Sequence, residues 1–309
     1  MVLPPTVSRV SGLAGRAGRW AGMAVAGGAL LAATVPALQA QLINLGDAAN
    51  FAGLDLGASA FTISKDTTIV NGNVGVDSNQ DLNFSGGGTI NGSIYGGDNA
   101  SFAISGSPSI SGGTYTDSSL VLQAVTDATS AASYYAGLAA NESVSASIFS
   151  NGGTITGNGG LNVVDVTGGI DLSRSTLTLS GTSSDTFVIN VTGGIDLSRS
   201  NIVLSGINPD QVLFNLAGTG TELTTTGDSG TAGIFLAADG SINLSGGTHD
   251  ADFIAGGSMI WQSGVTITQA TSLISPVPEL GRTAMAAAGA GFLLFFGLSL
   301  RSRRRTLTA

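Results

Sequence analysis

The decapeptide VTGGIDLSRS occurs twice, at residues 166–175 and 191–200, identical at every position and offset by 25. A chain has a use for the same ten residues one fixed step apart when successive turns of a coil stack on each other. Each turn then buries its apolar side chains against matching ones in its neighbours. Extended outward, VVDVTGGIDLSRSTLTLSG (163–181) aligns with VINVTGGIDLSRSNIVLSG (188–206), and a further step of 25 lands on LFNLAG (213–218). Downstream the step shortens through IFLAADGSINLSGG (234–247) and FIAGGSMIWQSG (253–264), and an earlier pair, VNGNVGV (70–76) and INGSIYG (90–96), lies 20 apart.

The two-residue period of a strand assigns the side chains to sides. Val164, Ile189 and Phe214 share one inward row and Val166, Val191 and Leu216 the next, with Asp165, Asn190 and Asn215 facing outward between them. Ile170 with Ile195, Leu172 with Leu197, and Leu177 with Ile202 continue the inward columns on the following faces. Each such side chain, fully buried, contributes about 1.5–3 kcal/mol. The Gly-Gly pairs 168–169 and 193–194 are expected at a corner taken through positive φ. Arg174 above Arg199, interleaved with Asp171 and Asp196, is expected to form a surface ion-pair ladder. DSSLVLQAVTDATSAASYYAGLAAN (117–141) breaks the pattern. Val121, Val125, Ala128, Ala132, Tyr135 and Leu138 fall on one helical face behind an N-cap at Asp117 or Ser118, which predicts one amphipathic helix lying along a wall of the solenoid.

Composition narrows the function classes. The 47 glycines have no three-residue period, which excludes collagen, and the absence of cysteine removes disulfides, thiolate metal sites and a cysteine nucleophile. Between residues 41 and 276 only Lys65, Arg174 and Arg199 face 19 acidic residues, a net charge of −16 that repels nucleic acid. A single histidine leaves no Ser-His-Asp set to assemble. Asp250 and Asp252, two apart beside His249, form the one constellation that a carbohydrate-active β-helix could use. GGIDLSRS lacks the spacing of nonapeptide calcium repeats, and the strings GGDNAS (96–101) and GNGG (157–160) lack the Gly-Lys-Ser/Thr end of a phosphate loop. Neither an enzyme nor a bound metal or cofactor is expected.

The ends read as addresses. Residues 1–40 carry a basic segment with Arg9, Arg16 and Arg19, the apolar run AGMAVAGGALLAATV and a small-residue cleavage site, as an export signal does. Residues 275–309 form the other address: after SPVPELGRT, AMAAAGAGFLLFFGLSL (284–300) is an apolar run of 17, just long enough to span a bilayer, and RSRRR follows it. This arrangement resembles the PEP-CTERM group of sorting signals handled by exosortases. Val277, Pro278, Glu279 and Gly281 carry the likeness; Leu280 stands where the usual motif has a second proline, which brings the motif nearer to the VPDSG-type variant. The resemblance implies a sorting protease and the inner membrane as partners, and a body displayed at the cell surface or in the extracellular matrix. A permanent C-terminal anchor is the alternative.

LGDAANFAGL (45–54), NGNVGV, INGSIY, one Ala-rich helix and a run of coils ending in IFLAADGSINLSGGTHDADFIAGG together resemble the bacterial ice-binding-like domain family over residues 42–268. Surface proteins with a choice-of-anchor A domain share the style of the last coils. The ice-binding-like resemblance implies an all-β domain over 41–274, a right-handed discontinuous β-helix of triangular section with a single α-helix packed alongside, whose N-terminal strands insert between later coils. It also implies a structural or adhesive role, with ice bound through a flat Thr- and Ser-rich face. Thr supplies a hydroxyl and a methyl on a stiff χ1. The candidates are the pairs Thr154 and Thr156, Thr176 and Thr178, Thr224 and Thr226, and Thr266 and Thr268. Binding or processing of an extracellular polysaccharide is the alternative.

Overall fold

The structure is a computed structural model, and it describes residues 43–57, 59–64, 69–144, 146 and 148–270. All of them belong to the unit Leu38–Ala309; the unit Met1–Ala37 lies outside the described residues, as do the predicted export signal 1–40, the predicted sorting motif and the predicted span 284–300. Among the described residues no helix is long and apolar enough to cross a membrane.

The strands stack as three parallel walls. Residues 163–181 and 188–206 are adjacent layers in the register that the repeat predicts. Val164 pairs with Ile189, Ile170 with Ile195, and Leu177 with Ile202. Phe214 continues the first row beside Ile189. The first wall contains Gly160–Val166, Asp185–Val191, Val212–Leu216, Thr231–Ala237 and the end of the long strand Gly247–Ala255. The second is an eight-stranded sheet that begins with Ile170–Ser173, Ile195–Ser198, Glu222–Thr226, Ser241–Leu244 and Met259–Trp261.

The coils nearest the N-terminus do not insert between later ones. They stack as a block on the last: Gly53–Asp55 pairs with Phe253–Ala255, and Phe61–Ile63 with Met259–Trp261. On the first and second walls the later coils already pair with one another in chain order without a gap, so their last edge is the place left for the block. Aromatic rings fill the lumen on both sides of this seam. Phe214 stacks on Phe235 with centroids 4.8 Å apart, Phe235 on Phe253 at 5.6 Å, and Phe61 meets Trp261 edge-on at 4.7 Å. Glycine is required at 53 because a Cβ there would run into the Trp261 ring.

At the predicted glycine corner only Gly168 has positive φ; the other three glycines serve close approach, a Cβ on Gly169 lying 2.7 Å from the Gly194 carbonyl oxygen. The left-handed corner of the repeat falls instead on Arg174 and Arg199, at φ 53° and 51°. Arg199 lies across Gly227, and among the described residues the two arginines form no ion pair with Asp171 or Asp196.

Helix α1 runs over Ser119–Ala136, shorter than the predicted 117–141. Asp117 is left-handed (φ 54°) and the Ser118 amide bonds to the Gly96 carbonyl, so helical geometry starts one residue later, without a side-chain cap. At the other end Asn141 is drawn out of the helical path by a strand edge: its amide bonds to the Val163 carbonyl, and its side chain accepts from the Val163 amide at 2.7 Å. Val121, Ala124, Ala128, Ala131 and Tyr135 are buried against Val163, Val188, Leu213, Ile234 and Ile254 on the outside of the first wall. The outward row of the repeat is therefore covered. Asn190 donates to the Tyr135 carbonyl and Asn215 to the Ala132 carbonyl, both at 3.1 Å, and Asn215 also donates to Asn190. Both asparagines are buried, in contrast to Asp165, because the last turns of α1 lie over them.

Candidate functional site

With the first wall under α1, no helix lies along the second and third among the described residues. The second, the candidate for the flat wall that the resemblance implies, is uninterrupted, since its eight strands pair continuously from Ile170–Ser173 to Ser101–Ser105. Its inward positions are apolar except Thr225, whose hydroxyl accepts from the Ser245 amide. Its outward positions form two central rows of mostly short side chains, with Glu222, Ser241, Asp81 and Ser101 along one margin. One row runs Asp171, Asp196, Thr224, Asn243, Ile260, Thr62, Asn83 and Ala103. The other includes Ser173, Ser198 and Thr226 at one end and Ser64, Ser85 and Ser105 at the other. Strand geometry sets neighbours about 4.8 Å apart along a row and about 6.6 Å apart between rows.

The third wall is broken. It begins with Gly153–Thr156, Thr176–Ser180 and Asn201–Ser205. It resumes with Gly247–Asp250, Val265–Thr268, Ile69–Asn71, Thr89–Asn91 and Ser109–Ile110. Between them lies Gly230–Ala232, which pairs onward through Thr231 with His249 and Ala232 with Asp250, but among the described residues pairs with Asn201–Ser205 only by the bridge Asn201–Gly230. Beyond it the strands splay into a groove of about 500 Å³ lined by Val203, Ile207, Pro209, Ala232 and Asp250 among others.

The eight threonines predicted from the sequence are thus divided. Thr224 and Thr226 stand on the flat wall. Thr154, Thr156, Thr176 and Thr178 stand on the third wall on one side of the groove, and Thr266 and Thr268 on the other. Thr154 is in register with Thr178, but the next residue in that row is Val203, so no continuous threonine array forms there. The flat-wall residues Thr62, Asn83 and Asn243 lie outside the Thr-x-Thr pairs that the sequence points to. Carrying the 20-residue offset of NGNVGV and INGSIYG into the intervening strands, which aligns Asn83 with Ala103, is the signal that would have found this row.

The structure does not bring His249, Asp250 and Asp252 together. Their strand turns from the third wall into the first between Asp250 and Asp252, so the two carboxylates lie on different walls. Asp250 faces outward near the groove, whereas Asp252 is buried and accepts from the Ala270 amide at 2.9 Å. His249 points into the lumen. Its Nε2–H donates to the Gly246 carbonyl (3.1 Å) and its Nδ1 accepts from the Thr231 hydroxyl (2.9 Å). Burial, only partly offset by the bond to Gly246, holds this imidazole down to about 4, so it is neutral at pH 7. No group of three or more His, Asp or Glu that could hold a metal occurs among the described residues.

The described residues thus form a parallel three-walled solenoid with one wall under a helix and a second wall of eight continuously paired strands. The chain belongs to the ice-binding-like adhesive domain family, whose family model matches residues 22–267. Three solved structures share its fold. The crystal structure of a glycosylated ice-binding protein from an Arctic yeast is 19% identical, with a TM-score of 0.57 over 77% of this chain and 96% of that one. An ice-binding protein of Shewanella frigidimarina is 19% identical, with 0.53 over 76% and 100%. The ice-binding protein of the Antarctic ascomycete Antarctomyces psychrotrophicus is 20% identical, with 0.52 over 75% and 100%. No curated protein matches the chain.

Proposed function

We propose that this chain is a non-catalytic, exported surface protein that holds an extended, ordered surface against its flat wall, and that ice is that surface. The observation that carries the reading is the wall itself: eight bare parallel strands with two outward rows of mostly short hydroxyl, amide and methyl groups on a regular grid. A grid of this kind orders water over an area, which a pocket cannot do. Membership of the family and the fold shared with three ice-binding proteins support it.

Ice-crystal shaping and thermal hysteresis test this directly. Thr62→Tyr and Thr224→Tyr, which raise bulky groups from the middle of the flat wall, are expected to bring hysteresis down to the buffer value, with Thr154→Tyr and Thr266→Tyr on the third wall close to wild type. Loss with the third-wall variants alone would move the ice site to that wall. No shaping by the wild-type chain would remove ice as the ligand.

Export and display rest on the two ends of the sequence. Residues 1–40 direct secretion, and the segment around Val277, Pro278, Glu279 and Gly281 brings the chain to an exosortase-like protease at the inner membrane, with 284–300 as the anchor before cleavage. Mass spectrometry of the protein recovered from its own cell envelope is expected to find the residues after the motif missing. An intact C-terminus would make the anchor permanent.

A further inference from the structure

The two ends of the solenoid are finished differently. At one end the segment leaving α1 closes over the last coil. Asn141 bonds along the free edge of Gly160–Val166, and Phe149 of the short helix α2 (Ile148–Asn151) is buried in the lumen. At the other end, among the described residues, Ser101–Ser105, Ser109–Ile110 and Thr114–Tyr115 each have a neighbour on one side only. Phe102 and Ile110 are only half-buried there and Ile104 is 39% exposed, although Leu82, Phe84 and Ile90, one layer below in the same columns, are fully buried.

This bare coil is also uncharged. Residues 99–116 contain no acidic or basic side chain, in a body that carries a net −16 between residues 41 and 276. Exposed strand edges are ordinarily guarded by charge, and these carry none. Two copies repel one another over most of their surfaces but not here, where neutral edge meets neutral edge. The strand is also self-complementary. Antiparallel pairing of two Ser101–Ser105 strands about Ala103 sets Phe102 opposite Ile104 of the second copy, both on the lumen side.

We propose that this open end is the interface of an end-to-end dimer of the chain, sealed by two-fold pairing of the Ser101–Ser105 strands. The dimer joins the two lumens and brings the two flat walls edge to edge. It does not depend on what that wall binds.

The chain has no cysteine, so Ala103→Cys introduces its only thiol, at an outward position. In the full chain, oxidised in mild detergent, this variant is expected to convert mostly to a disulfide-linked dimer, since facing Cβ atoms stand about 4.5–5.5 Å apart across such a pair. Thr154→Cys, at the closed end, is expected to stay monomeric. If Ala103→Cys lowers the melting temperature, the double variant Ser101→Cys/Ser105→Cys reads the same register. In sedimentation, Ala103→Lys is expected to be a folded monomer, with a melting temperature no higher than that of the wild type and independent of protein concentration. Cross-linking at 103 no faster than at 154, or a dimer that survives Ala103→Lys, overturns the proposal. The first of these results also follows if the chain's own C-terminal residues or another protein cover the end.

Discussion

Asp55→Asn is expected to stabilise the protein by about 4 kcal/mol at pH 8 and to change it little at pH 4. Asp55 is an inward residue of the first wall, placed between Ala255 and Val76 in its row and fully buried. One carboxylate oxygen accepts from the Gly57 amide at 3.1 Å, while the other has no partner among the described residues. Burial pushes the carboxyl up to about 7 from its ordinary 3.8, against the Gly57 bond and with help from the charge of Asp77. The folded state therefore holds its proton more tightly than the unfolded chain does. Stability from this group is fully present below pH 3.8, falls as pH rises, and reaches its full loss above pH 7. Asparagine keeps the shape and cannot ionise.

His249 acts with the opposite sign. Its folded value of about 4 lies below the unfolded 6.5, so its contribution is present above pH 6.5 and lost as pH falls through 4, about 3 kcal/mol in all. The two windows nearly coincide, and the wild-type stability is expected to change little between pH 4 and 7. Asp55→Asn uncovers the histidine: denaturant titrations should show its stability dropping steadily on acidification from pH 6.5. Parallel pH profiles for variant and wild type would show that Asp55 carries no such penalty.

Phe235→Ala is expected to cost about 3–5 kcal/mol. Its ring is the middle member of the stack from Phe214 to Phe253, and all three are fully buried. A solenoid coil touches only its neighbours, so a cavity here also weakens the coupling between the coils on either side. Chemical denaturation should show a lower midpoint and a broader transition. Phe102→Ala, in the half-buried outermost coil, should cost much less to the monomer. Equal losses at the two positions would mean that the column is not what holds the layers together.

The repeat carried much of this architecture in plain view. A 25-residue identity fixes which residues lie one layer apart, and the alternation of Val164, Asp165 and Val166 fixes their sides, so the register across 163–216 follows from spacing alone. Three features depend on contacts distant in sequence. The burial of Asn190 and Asn215 needs α1 above them, because an outward asparagine in a strand otherwise reads as solvent-facing. The splaying after Asn201 needs the geometry of Gly230, one bridge and then separation. The separation of Asp250 from Asp252 needs a strand that turns a corner, which period-two counting along a straight strand does not foresee. For the candidate site, Thr-x-Thr pairs marked outward faces but not which wall each belonged to.

The seam between Gly53–Asp55 and Phe253–Ala255 has a consequence for how the molecule is made. A ribosome delivers residue 53 some two hundred residues before its template strand exists. Until then Phe61 lacks its Trp261 neighbour and the early coils offer an unpaired edge. Completion must therefore wait for release of nearly the whole domain, a high-contact-order closure that favours slow folding and leaves the growing chain exposed to misassembly until its last coils are made.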